Sequence, residues 1–154
     1  MRPSPIAVRQ AGREDLAHIH RLVHELAVYE NAPEEFVATL EDYQRDFAAG
    51  AFQALVAETP QEEVIAMALY YLGYSTWKGR MLFLEDFVVQ EAFRRQGIGQ
   101  QLFEAVLGQA RALECRLVKW QVLDWNEPAL SFYRRYGAAI ESNWWNGKIF
   151  FEIT

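Results

Sequence analysis

Arg94-Arg95-Gln96-Gly97-Ile98-Gly99 places two guanidinium groups beside two glycines in six consecutive residues. They follow an apolar run, Met81 to Val89, that reads as a buried strand. They precede a segment in which Leu102, Phe103, Val106, Leu107, Ala110 and Leu113 recur at helical spacing. A strand, a basic turn and a helix N-terminus together make an anion site, because the first helical N–H groups have no intrahelical partner. Gly97 and Gly99 let the backbone approach a ligand closely, and Arg94 and Arg95 add charge. Two nucleotide motifs are excluded. Leu102 stands where the third glycine of G-x-G-x-x-G would be, and no Gly-Lys-Ser/Thr follows. A turn whose glycines only ease packing, with solvated arginines, stays open on these six residues alone.

Proton-handling groups lie on either side. Glu85 and Asp86 occupy the strand before the turn, and alternation predicts that only one of them faces a reacting cleft. Glu85 shares a face with Phe83, Phe87 and Val89, and Asp86 with Leu84 and Val88; periodicity does not choose between the faces. Tyr133 is a phenol with a reference pKa of ~10, suited to giving a proton to a leaving group of similar basicity. It also lies at helical spacing with Ala129, Phe132 and Tyr136, as a core residue would. His20 and His24 are four residues apart on a helix, yet no third ligand is evident and Glu25 does not complete H-E-x-x-H, so no metal is expected. No G-x-S-x-G surrounds Ser75 or Ser131.

These groups need a scaffold. Ile6 to Val8 reads as a strand, and Arg13 to about Tyr29 as a helix with Leu16, Ile19, Leu22, Val23, Leu26 and Ala27 on one face. Leu40 to Ala48 forms a shorter helix ended by Gly50. Phe52 to Glu58 and Val64 to Leu72 predict an antiparallel hairpin, and Trp77-Lys78-Gly79-Arg80 turns the chain into Met81 to Val89. After the helix that follows the basic turn, Leu117 to Leu123 is a further strand. Asn126-Glu127-Pro128 opens the last helix and Gly137 ends it. Ile140 to Ser142 and Lys148 to Thr154 predict a hairpin about Asn146-Gly147. The order β-α-α-β-β-β-α-β-α-β-β implies an α/β (α+β) protein with a mixed, mostly antiparallel sheet flanked by helices, in a single domain over 1–154.

Composition narrows the partners. The 154 residues are 51% hydrophobic with a net charge of −6, which suits a globular protein and argues against nucleic acid. No apolar stretch approaches the ~20 residues of a membrane span, and Met1 to Pro5 carries no apolar signal core, so a cytoplasmic protein is expected. Cys115 is the single cysteine and reads as a small packing residue.

The element order and the segments Leu84-Glu85-Asp86-Phe87-Val88-Val89, Arg94 to Gly99, Asp124-Trp125-Asn126-Glu127-Pro128 and Phe132-Tyr133 resemble the GNAT superfamily of N-acetyltransferases. The likeness is to its diamine acetyltransferase branch, which includes spermidine/spermine and thialysine acetyltransferases. It extends to Glu25-Leu26-Ala27-Val28-Tyr29-Glu30. The resemblance implies the acyl-CoA N-acyltransferase fold and direct acetyl transfer from acetyl-CoA to a primary amine in a ternary complex. It implies Tyr133 as general acid and Glu85 as the group that deprotonates the amine, through water. It assigns the cofactor to Phe87, Val88, Val89, Arg94, Arg95, Gln96, Gly97, Ile98, Gly99, Gln100, Asn126, Glu127, Pro128, Ala129 and Tyr133. Tyr29, Glu30, Trp77 and Glu85 would line the amine site. It further implies a homodimer whose C-terminal strands exchange or pack across the two-fold axis.

Two departures point to a short amine. Tyr74-Ser75-Thr76-Trp77 lacks the acidic residue of the polyamine enzymes, and Ser142-Asn143-Trp144-Trp145 replaces an acidic stretch. Trp144 and Trp145 either cover an aminoalkyl chain or pack internally. Acetylation of a protein N-terminus or lysine, or non-catalytic sensing of acyl-CoA, are the alternative readings.

Overall fold

Apolar runs in the first three quarters of the chain assemble into one mixed sheet. The computed structural model describes residues 5–152, in two compact units, Met1–Gln121 and Val122–Thr154. In the first unit β1 (Ala7–Gln10), β2 (Gln53–Glu58), β3 (Val64–Ser75), β4 (Gly79–Val89) and β5 (Leu117–Trp120) lie side by side in that order. The first three pairings are antiparallel and β4–β5 is parallel. Helices α1 (Leu16–Tyr29), α2 (Leu40–Ala48) and α3 (Ile98–Ala112) accompany the sheet.

From Val64 to Tyr70 every residue of β3 is buried, as expected of a strand covered on both faces. One face meets α1, whose Leu16, Ile19 and Leu22 pack with Ala54, Val56, Met67, Leu69 and Val88. Tyr43 and Phe47 of α2 extend that core. On the other face α3 buries Ile98, Leu102, Phe103 and Val106. The Phe103 ring meets Phe87 and Trp120 edge-on, each at 5.7 Å between centroids. Each such buried side chain contributes ~1.5–3 kcal/mol, so the start of α3 is firmly fixed to the last turn of β4.

A partly buried ion cluster, with Asp15 at its centre, joins the first elements. Asp15 accepts from Arg9 at 2.7 and 3.0 Å and from the Gly12 N–H at 2.8 Å, and Arg9 also reaches Glu58. These bonds hold the Asp15 carboxyl below its ordinary range, the Arg9 side chain being the largest cause. They also tighten the start of the expected first helix, where Arg13–Asp15 is a 3-10 turn.

The second unit contains α4 (Glu127–Arg135). Asn126 caps it by accepting from the Ala129 N–H at 3.3 Å, Pro128 sits in the first turn, and Gly137 at φ +75° turns the chain out. Here the sequence expectation fails. From 138 to 152 there is no helix or strand, so the strands expected at Ile140 to Ser142 and Lys148 to Thr154 are not formed among the described residues; Ile153 and Thr154 lie outside them. A two-stranded ribbon is marginal by itself and needs a sheet edge to pair with.

Candidate active site

Beta strand β4 carries the centre of the site. It pairs with β5 only from Met81 to Leu84; from Glu85 onward no strand occupies that side among the described residues. The strand edge from Glu85 to Val89 is therefore open at the end of β4 that leads into the basic turn. Arg95 in that turn has φ +65°, a left-handed conformation uncommon for a non-glycine residue, shared with Asn31, Glu62 and Glu114 in other turns. Gly97 is the N-cap of α3 at φ +79° and supplies no side-chain cap. A Cβ added there would meet no atom within 4 Å, so the space before the helix end is open to a ligand. Arg95, Gln96, Gly97 and Gln100 are exposed, Gly99 partly so, and Ile98 is buried as the helix anchor. These features fit an anion bound by backbone N–H groups.

Arg94 is not simply solvated. Its Nε donates to the Val89 carbonyl at 3.0 Å and its guanidinium lies over the Tyr29 ring, 5.5 Å from the centroid. This contact brings the basic turn beside the end of α1, where Tyr29 and Glu30 stand. Burial raises the affinity of Glu30 for a proton.

The alternation expected for Glu85 and Asp86 is overturned. Leu69 pairs with Asp86 and Tyr70 with Leu84, leaving Glu85 as the extra residue of a β-bulge. Glu85 accepts from the Tyr71 hydroxyl at 3.3 Å, and both carboxylates raise the Tyr43 phenol well above its ordinary range, after burial as the main cause. Asp86 titrates at about 7, lifted first by burial and then by the charges of Glu85 and Glu30. The charges of Glu85 and Glu30 thus act on Asp86, and those of Asp86 and Glu85 keep the Tyr43 phenol protonated.

Trp77 stands elsewhere. It is 83% exposed at the tip of the β3–β4 hairpin. The strand from Gly79 to Glu85 alone is about 20 Å long at about 3.3 Å per residue. Within one chain the structure does not bring Trp77 to Glu85. In the second unit, Asn126, Glu127, Pro128 and Ala129 form the capped first turn of α4, and Tyr133 lies two turns on, 7% exposed. Tyr43 is not singled out by the sequence, whereas Asp86 is, together with Glu85. The bulge that recruits Asp86 has no residue signature here, and only the helical period of Tyr43 with Phe47 could have drawn attention to it.

The acetyltransferase (GNAT) family model matches residues 13–138. The chain belongs to that family. It is an N-acetyltransferase with the acyl-CoA N-acyltransferase fold, and the acyl donor of the family is acetyl-CoA. It is 37% identical over 142 residues to a thialysine N-epsilon-acetyltransferase of Bos taurus, covering 86% of this chain and 84% of the relative. It is 31% identical to a human spermidine/spermine N(1)-acetyltransferase-like protein 1, covering 85% of this chain and 20% of that longer protein. These relatives place the acetyltransferase in the diamine branch. An aminoglycoside acetyltransferase from a soil metagenomic sample shares the fold at TM-score 0.79 and 17% identity, over 96% of this chain and 97% of that one. No helix among the described residues is long and apolar enough to cross a membrane. No group of three or more His, Cys, Asp or Glu side chains suited to a metal occurs among them either.

Proposed function

We propose that the enzyme transfers the acetyl group of acetyl-CoA to a primary amine of a small cationic molecule, a diamine or a lysine analogue. The observation that carries this reading is the contact of Arg94 with Tyr29, which joins a glycine-capped anion site to a three-carboxylate face. One half suits the cofactor's pyrophosphate and the other an ammonium group. The open edge of β4 from Phe87 to Val89 offers backbone groups to the amide-bearing pantetheine arm as a neighbouring strand would. Glu85, exposed at the bulge, takes the amine's proton through water, and the Tyr133 hydroxyl gives its proton to the departing thiolate. The names of the thialysine and spermidine/spermine relatives support the small-amine choice.

A homodimer belongs to the same reading. Trp144, Trp145, Ile149, Phe150 and Phe151 are 74–96% exposed, an apolar burden that a second copy can cover. Because Trp77 lies so far along the hairpin from Glu85, it can line an amine site only in a partner copy. Release of coenzyme A measured across a panel of amines tests the activity. Turnover of diamines or lysine analogues supports it, and peptides as the only substrates would replace it.

A further inference from the structure

The irregularity at Leu69 and Tyr70 leaves Glu85 with no residue opposite it on β3. A bulged residue lacks the cross-strand neighbour that would otherwise fix its side chain. Glu85 is exposed as well, so the ladder does not set the place of its carboxylate. Tyr71 supplies what the ladder does not. It pairs with Phe83, two residues before Glu85, and its ring stacks on the Phe83 ring at 5.3 Å between centroids and 24° between planes. From there its hydroxyl donates to Glu85 Oε1 at 3.3 Å. The stack limits the swing of a ring that is itself exposed. Burial, and after it the charge of Glu85, raises the Tyr71 phenol above the ordinary tyrosine range, so it stays a donor through neutral and mildly alkaline pH.

We propose that Tyr71 is a positioning residue for acetyl transfer, holding one oxygen of Glu85 so that the other receives the amine's proton. This rests on the reading of Glu85 as the group that takes that proton through water. Tyr71 engages Oε1 and leaves Oε2 open to the water. In the step, an ammonium N–H bond breaks and leaves its electron pair on nitrogen for attack on the thioester. The water gains that hydrogen and gives one of its own to Oε2, while Tyr71 keeps its hydrogen throughout. The charge of Glu85 also acts on Asp86 of its own strand and on Tyr43 of α2, but Tyr71 is the group bonded to it. Losing one hydrogen bond lets the carboxylate turn among its rotamers, a loss of about three- to tenfold in rate.

Tyr71→Phe removes the hydroxyl and keeps the ring on Phe83. Initial rates of wild type, Tyr71→Phe, Glu85→Gln and the double variant are compared from pH 7 to 10. The amine is whichever of 1,3-diaminopropane, lysine or S-(2-aminoethyl)cysteine wild type acetylates fastest. Tyr71→Phe is expected to lower kcat about three- to tenfold with KM for acetyl-CoA unchanged, and the defect is expected to shrink as pH rises. In the Glu85→Gln background the same change is expected to leave kcat where it is, because its effect runs through Glu85. Undiminished kcat in Tyr71→Phe beside a defective Glu85→Gln, or an equal loss in both backgrounds, overturns the role of Tyr71 alone. A Glu85→Gln enzyme with undiminished kcat, or with a defect constant over that range, overturns the proton-accepting reading of Glu85 and this proposal with it. No acetylation of any of the three amines by wild type overturns the small-amine reading beneath both.

Discussion

Asp86→Asn should change the pH dependence of stability even with no substrate present. In the folded chain Asp86 titrates at about 7, against 3.8 for an ordinary aspartate. Between those values the folded state binds more protons than the unfolded one, so stability falls as pH rises. Three units at 1.36 kcal/mol each give an upper bound of about 4 kcal/mol lost between pH 4 and pH 8. Asparagine, close in shape to the neutral carboxyl that is equally unpartnered, removes that loss. The variant should therefore be close to wild type in stability near pH 4 and more stable near pH 8. Urea unfolding of both proteins at several pH values reads the difference directly. A wild-type-minus-variant difference that stays flat from pH 4 to pH 8 would refute the reasoning, since Asp86 would then be an ordinary carboxylate.

Other outcomes follow from the same geometry. Gly97→Asp should fold, because Asp tolerates φ near +79° better than most residues and its Cβ has open space, yet it should weaken acetyl-CoA binding more than about tenfold by charge repulsion; unchanged affinity in a titration would put the pyrophosphate elsewhere. Tyr133→Phe keeps the buried ring but loses the proton donor, so kcat should fall roughly 10²–10⁴-fold with little change in cofactor affinity; full turnover would make the tyrosine a packing residue. The defect of Glu85→Gln should shrink as pH rises and more amine arrives neutral, whereas a constant defect from pH 7 to 10 would assign Glu85 to positioning. Light scattering at micromolar concentration should return the mass of a dimer, and a monomer mass would count against partner coverage of the C-terminal aromatics.

Residues with strong local chemistry were legible before the fold was known. Asn126 and Pro128 announced α4, Gly97 the start of α3, and the apolar period of Leu16, Ile19 and Leu22 the buried face of α1. Features set by neighbours were not legible. Strand β3 runs on to Ser75, past the apolar run, because Tyr71 to Tyr74 pair across the hairpin with Phe83 to Arg80 while largely exposed. Strand β5 stops at Trp120, before Leu123, and the parallel pairing with β4 ends there too. The Asn146-Gly147 signal is local, whereas strand formation around it requires a partner edge. Register at Leu69 and Tyr70 decided the most important matter at the site. A one-residue bulge put Asp86 beside Glu85, and no composition or period encodes it.

Acetyl transfer from acetyl-CoA to a small cationic amine can be read from the products themselves. Its most direct measurement is mass spectrometry of the products when the purified enzyme is incubated with acetyl-CoA and a mixture of diamines, lysine analogues and basic peptides, with released coenzyme A quantified in parallel. A mono-acetylated diamine or lysine analogue is expected in amounts equal to the coenzyme A released. Coenzyme A release with acetyl groups found only on peptides, or none released with any amine, would contradict it.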